Sequence, residues 1–359
     1  MSRFWEIIIY SRGRDRFYCF PFLFLFRLIT PFYQFFSRRH LKKRAGQKSK
    51  EWRAKVISVG NITVGGSGKT PIVMALAQRL ILAGKKVAIV HSGYGRRSKK
   101  HLMIGPNRSA DYTIDDTGDE VMMMARLHPD IAYAVGADKK KCVIKADREF
   151  SPDYIIIDDG FQRLDIDKDI DIVLAGAPLP FFGTSDKAAK KLLRLFPAGI
   201  LRENIDAMQR ADAVFSVLPR ESEMLVSPLP VRNFDWRLEL TGILEGGDKH
   251  DLSFLKDRKP LVFAGIGSYP RLLGMLNRLD IEIAGDYGFG DHYRYDKIDL
   301  VMLRDMAAGV KADCYLTTAK DLVKLPHREW DKPLYQLVLE AVPADPVLLD
   351  QLLGLKNGF

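Results

Sequence analysis

The sequence predicts an α/β fold: a parallel-sheet domain over residues 45–232, a second, smaller α/β domain over 233–359, and an N-terminal membrane-associated helix within residues 1–44. Three observations carry this reading. Short β-rich runs alternate with helical patterns along most of the chain, the rhythm of parallel strands joined by crossover helices. A Gly-rich turn, VGNITVGGSGKTP, links the first of those runs to a helix start. Ahead of both, an aromatic run ends in a dense basic cluster.

The aromatic run extends from Phe17 to Phe36 with eight phenylalanines, and Arg38, Arg39, His40, Lys42, Lys43 and Arg44 follow it. Pro21, Arg27 and Pro31 divide it, so no uninterrupted stretch crosses a hydrocarbon layer of about 30 Å without burying a charge. A helix lying in one leaflet uses every feature, with apolar burial, basic residues facing anionic headgroups and Arg27 snorkelling outward. A core helix with a solvated flank is the competing reading. No small-residue cleavage site separates the run from the basic cluster, which disfavours a signal peptide.

Charge follows the same division. Residues 1–55 hold 14 Lys or Arg against 3 Asp or Glu, a net +11, so the remaining residues carry about −1 of the formal +10. A broad basic groove for nucleic acid is thereby excluded. An apolar fraction of 47% excludes a disordered chain. Cys19, Cys142 and Cys314 lie too far apart for a paired metal-ligand spacing, so neither a zinc site nor a disulfide framework is expected.

In the body, strands are expected near 56–60, 85–91, 154–159, 169–175 and 211–217, and helices over 70–83, 118–128 and 202–211. A Pro-, Gly- and Glu-containing stretch over 219–250 places a domain boundary near 232. The rhythm then resumes with strands near 259–267, 281–286, 312–320 and 334–340.

The Gly-rich turn is the strongest chemical signal. Backbone N–H groups of such a loop wrap phosphates, its Lys reaches the terminal pair and its Ser or Thr hydroxyl binds Mg²⁺. Gly68, Lys69 and Thr70 supply the expected ending, while Thr63 occupies the place of the first glycine. Thr63, Val64, Gly65, Gly66, Ser67, Gly68, Lys69 and Thr70 are the candidate cradle, which makes the first domain P-loop NTPase-like. Asp158 and Asp159, after the apolar strand YIIID, are candidate Mg²⁺-handling carboxylates with Thr70, and they also suit a turn.

Asp119 stands at a helix start, where a cap and a catalytic carboxylate are both compatible with its position. His292 lies in the Gly- and aromatic-rich run GDYGFGDHYRY, where packing and proton handling remain open. The pair could act together only if the fold closes their 173-residue separation. Arg96 and Arg97, after the glycines of HSGYGRR, fit a solvated turn or a phosphate clamp. Lys320 and Asp321 of LTTAKD are weaker candidates.

Taken together, VGNITVGGSGKTP, GYGRR, GDE at 118–120, DDGFQ at 158–162, FPAGILRE at 196–203, the FGDHYRY region and TTAKD resemble the tetraacyldisaccharide 4'-kinase family of the lipid A pathway in identity and order. The resemblance implies an inner-membrane kinase, peripheral or monotopic, with its catalytic domains on the cytoplasmic side. It would move the γ-phosphate of ATP to the 4'-hydroxyl of a tetraacyldisaccharide 1-phosphate with Mg²⁺. By the same resemblance Asp119 is the catalytic base, His292 its hydrogen-bonding partner that raises its basicity, and Lys69 a catalytic phosphate ligand. The chain departs from the family at His91-Ser92-Gly93, at Arg163 after Gln162 and at Ala319 before Lys320. Neither nucleic acid nor an obligate protein partner is expected. A membrane-associated P-loop ATPase acting in transport or protein maturation is the alternative, and phosphate transfer to lipid separates the two.

Overall fold

A computed structural model describes residues 15–64, 68–175, 194–218, 231–326 and 330–355. The described residues begin with helix α1 (Asp15–Ala45) and continue through β1 (Lys55–Asn61), α2 (Lys69–Leu82), β2 (Val87–His91), β3 (Leu102–Ile104), α3 (Ile114–Thr117), α4 (Asp119–Leu127), β4 (Ala132–Val135), α5 (Lys139–Phe150), β5 (Tyr154–Asp158), β6 (Ile170–Ala175) and β7 (Ala213–Leu218). β8 (Arg232–Glu245) and β9 (Asp248–His250) lead into β10 (Pro260–Ala264), α6 (Tyr269–Leu276), β11 (Gly285–Gly288), α7 (Lys297–Gly309), β12 (Cys314–Thr318), α8 (Ala319–Leu322), β13 (Leu334–Pro343) and α9 (Pro346–Leu353).

The described strands form one 13-stranded sheet, in the order β11-β10-β12-β13-β8-β7-β6-β1-β5-β2-β4-β3 with β9 beside β8. Its interior strands are apolar almost throughout: Val56 to Asn61 of β1 and all of β5 are buried. Strands covered on both faces require this pattern. α2 and α4 cover one face, setting Ile72, Leu76 and Val121 against Ile57, Val59 and Ile156. α5 covers the other, packing Val143 and Ala146 on Val56 and Ile155.

The sheet is mixed where the sequence predicts only parallel pairing. Two parallel blocks, β8 to β4 and β11 to β13, meet at the antiparallel pair β13–β8, and β3 adds an antiparallel edge strand. The length of β8 is the reason. Its residues Arg232–Arg237 pair with β7, while Trp236–Leu244 pair with β13. Residue 232, where composition shifts, is thus the first residue of a strand shared by both blocks. α9 returns from the second block to the first, burying Leu349 and Leu353 in its core and pairing Asp350 Oδ1 with Arg79 Nε at 2.7 Å.

α1 runs for 31 residues, roughly 46 Å at 1.5 Å per residue. No described helix is long and apolar enough to cross a membrane. Tyr33 of α1 packs edge-on against Phe196 at 5.3 Å, and Arg44 donates to the Gln162 carbonyl at 3.1 Å. Leu28, Phe32, Phe35 and Phe36 are exposed. The helix expected over 202–211 shortens to a 3₁₀ turn, Ile205–Arg210, because Arg202 N–H pairs with the Ile62 carbonyl and Asn204 caps the turn.

Candidate functional site

The site gathers at the carboxyl ends of β1, β2, β5, β11 and β12, where an α/β sheet collects its ligands. β1 ends at Asn61, and Gly68 (φ 75°) brings the chain into α2 with Lys69 and Thr70 as its first two residues. Gly65, Gly66 and Ser67 lie outside the described residues. Thr63 and Val64 are tied to neighbouring protein groups at residues 61, 200 and 201. Thr63 Oγ1 accepts from Asn61 Nδ2 at 3.2 Å, its backbone bridges Leu201, and Val64 N–H donates to the Ile200 carbonyl at 2.8 Å. The Val64 N–H, spent on a protein carbonyl, does not also wrap a phosphate.

Asp158 and Asp159 sit at the end of β5 and face different partners. Asp159 has a left-handed backbone (φ 54°), a conformation Asp tolerates better than most residues. Its carboxylate receives Arg202 Nη1 at 3.0 and 3.1 Å and lies 3.5 Å from Lys69 Nζ. Burial pushes this carboxyl up, but Lys69, Arg202 and Lys139 outweigh it and hold the group well below the usual carboxylate range. Lys139 is itself buried and donates to the carbonyls of Asp158 and Asp159 at 2.7 and 2.8 Å. Asp158 is 3% exposed; its Oδ1 has no hydrogen-bond partner among the described residues and its Oδ2 lies 3.7 Å from His91 Nε2. Burial raises the Asp158 carboxyl against the pull of His91 and Lys69.

These oxygens suit Mg²⁺. An orphaned buried carboxylate oxygen, a second carboxylate and the Thr70 hydroxyl are hard donors. No group of three or more His, Cys, Asp or Glu side chains among the described residues could hold a metal alone. Mg²⁺ does not require one, since it commonly takes one or two carboxylates and completes its shell with phosphate and water.

The second half of the site is built by α4 and the loop after β11. Gly118 adopts φ 86°, and a Cβ there would lie 2.7 Å from the Tyr94 carbonyl, so only glycine delivers the chain into α4 at this angle. Asp119 follows as the first residue of α4, buried at the positive end of the helix. His292, also left-handed (φ 58°), places Nδ1 2.9 and 3.1 Å from the two Asp119 oxygens. The fold therefore closes their 173-residue separation. A cavity of about 430 Å³ opens beside the pair, lined among others by Tyr94, Asp115, Arg294 and Lys324.

The electrostatics of this pair run opposite to the expected direction. Burial pushes the Asp119 carboxyl up, but the His292 hydrogen bond and the Lys320 and Lys324 ammonium groups outweigh it and leave it below the ordinary aspartate range. A donor aimed at a carboxylate stabilises the ionised form, so His292 lowers the basicity of Asp119 and does not raise it.

Some participants escaped the sequence reading. Arg202 and Lys139 reach Asp159 through contacts that no local spacing encodes. Glu120 accepts from Lys320 Nζ at 3.3 Å and faces His91 Nε2 at 3.2 Å, and adjacency to Asp119 was its only signal. Arg96 donates to the Lys100 carbonyl and Arg97 pairs with Asp115, so both support the turn after β2.

Comparison with known proteins gives one consistent result. The family model for LpxK, tetraacyldisaccharide-1-P 4'-kinase, matches residues 17–356. The tetraacyldisaccharide 4'-kinase of Geobacter sulfurreducens is 34% identical over 301 residues, 82% of each chain. That of Aquifex aeolicus is 33% identical over 307 residues, 85% of this chain and 88% of its own. The crystal structure of the "apo" form of Aquifex aeolicus LpxK in complex with ATP matches with a TM-score of 0.72 at 30% identity, over 94% of this chain and 98% of the other. The chain belongs to the tetraacyldisaccharide-1-P 4'-kinase family.

Proposed function

We propose that the protein transfers the γ-phosphate of ATP to the 4'-hydroxyl of a tetraacyldisaccharide 1-phosphate, a lipid A precursor. One observation carries the reading: the Asp119–His292 pair and its cavity share a sheet edge with Lys69, Asp158 and Asp159. A hydrolase needs only the second group.

In this reading the loop after β1 wraps the ATP phosphates, with Lys69 on the terminal pair. Asp158, Asp159 and Thr70 would hold Mg²⁺, which when bound supplies charge neutralisation across the β- and γ-phosphate oxygens. Arg202 and Lys69, paired with Asp159, are the cations that would meet the developing phosphate charge. Asp119 accepts the hydrogen of the acceptor hydroxyl and aims the oxygen at phosphorus. Phosphoryl transfer through a loose transition state demands little deprotonation of the nucleophile until late. A well-placed carboxylate of low basicity therefore suffices, and His292 contributes by fixing its orientation.

The acceptor's acyl chains stay in a bilayer, which gives α1 its role. Exposed Leu28, Phe32, Phe35 and Phe36, with Arg38, Arg39, Lys42 and Lys43 nearby, form a face suited to one leaflet and its anionic headgroups. This favours peripheral or monotopic attachment to the inner membrane from the cytoplasmic side. We read residues 45–232 as the ATP-handling domain and 233–359 as the smaller domain that supplies His292.

The test is incubation of the purified chain with γ-labelled ATP, Mg²⁺ and tetraacyldisaccharide 1-phosphate in mixed micelles. Label on the 4' position of the lipid is expected. Release of free phosphate with no labelled lipid would favour the ATPase alternative and overturn this reading.

A further inference from the structure

We propose that Lys320 is a positioning residue for the phosphoryl transfer: its ammonium donates to Nε2 of His292 and holds the ring in the neutral tautomer whose hydrogen, on Nδ1, points at Asp119. The inference deepens the proposed function and rests on Asp119 being the group that meets the acceptor hydroxyl.

His292 Nδ1 lies 2.9 Å from an Asp119 oxygen, and an ionised carboxylate only accepts, so Nδ1 carries a hydrogen. His292 Nε2 lies 3.3 Å from Lys320 Nζ, and an ammonium only donates, so Nε2 offers its lone pair. A ring with one nitrogen of each kind is neutral. Asp291 Oδ2 lies 3.7 Å from Nε2, beyond hydrogen-bond reach, while its Oδ1 holds Lys320 at 3.0 Å. Tyr94 packs against the ring with its centroid at 4.9 Å, and Asp115, Arg294 and Lys324 line the same cavity.

Lys320 is fixed for this task. Its side chain is 14% exposed and is surrounded by Glu120 at 3.3 Å, Asp291 at 3.0 Å and Asp119 at 4.0 Å. Burial works against its charge, but these carboxylates outweigh burial and raise the group above the usual lysine value. Glu120 is fixed in turn. Gly93 N–H donates to His91 Nδ1 at 2.9 Å, which leaves the His91 hydrogen on Nε2, 3.2 Å from the second Glu120 oxygen. Two histidines in opposite tautomers thus bracket the Glu120–Lys320 pair. The consequence for Asp119 is direct: a neutral donor orients the carboxylate and leaves it a full negative charge, whereas an imidazolium would cancel much of that charge.

The experiment is ¹⁵N NMR of the histidine rings in the full chain, in micelles near neutral pH, with His292 identified by its absence from the His292→Gln spectrum. Wild type should show hydrogen on Nδ1 and an accepting Nε2. Lys320→Met should lose that pattern and lower kcat about 10- to 100-fold, the scale for a residue acting through another, with KM for ATP unchanged; Lys320→Arg should restore most of both. A wild-type His292 with hydrogen on Nε2 or on both nitrogens would overturn the proposal, and this readout survives any folding failure of the Met variant. Loss of turnover in Lys320→Met with unchanged His292 signals would overturn it as well. Because the wild-type spectrum needs neither ATP nor acceptor, its outcome is separable from failure of the lipid transfer assay.

Discussion

Two side chains in the site, Asp159 and His292, occupy left-handed backbone that only their neighbours' contacts justify, a mark of residues held for aim. Both were named from sequence motifs, as were Asp119, Asp158, Lys69 and Thr70, because short motifs at strand ends carry their own chemistry. Lys139 was not legible, since its partners are two backbone carbonyls, and a carbonyl leaves no trace in residue identity. The depressed carboxyl of Asp119 has a pH signature. Its folded value lies below the unfolded value of about 3.9, so its contribution to stability is full above that value and is lost as pH falls through the folded one. Asp119→Asn should therefore be less stable than wild type at pH 7, with the gap in urea midpoint narrowing below pH 4. A gap independent of pH would show that Asp119 acts on stability through packing alone.

At the scale of elements, the strands named from apolar runs coincide with β1, β2, β5, β6 and β7, because a strand buried on both faces must be apolar along its length. β8 eluded the same test. Half of its residues are only partly buried, and the Pro-, Gly- and Glu-containing stretch around it reads as a domain boundary. α1 exposes Leu28, Phe32, Phe35 and Phe36 while Tyr33 and Arg44 hold it to the body. Replacing Phe32, Phe35 and Phe36 by serine should sharply reduce flotation with anionic vesicles while ATP affinity stays at the wild-type value. Equal flotation of both proteins would remove α1 from membrane attachment.

Over the whole molecule, two parallel blocks joined at β8–β13 bring the carboxyl ends of β5 and β11 into one site, so that the phosphate loop comes from one block and His292 from the other. Sequence periodicity gave both blocks but not the seam, because the direction of β13 relative to β8 depends on partners remote in the chain. The central claim is that Asp119, where the blocks meet, serves the acceptor and not ATP. A single-turnover assay of wild type and Asp119→Asn, with labelled ATP and tetraacyldisaccharide 1-phosphate, tests this most directly when ATP affinity is measured on the same samples. The account predicts unchanged ATP affinity and a transfer rate lower by about 10²- to 10⁴-fold, the range for a lost general base; a wild-type rate, or a loss of ATP binding that accounts for the slower transfer, would contradict it.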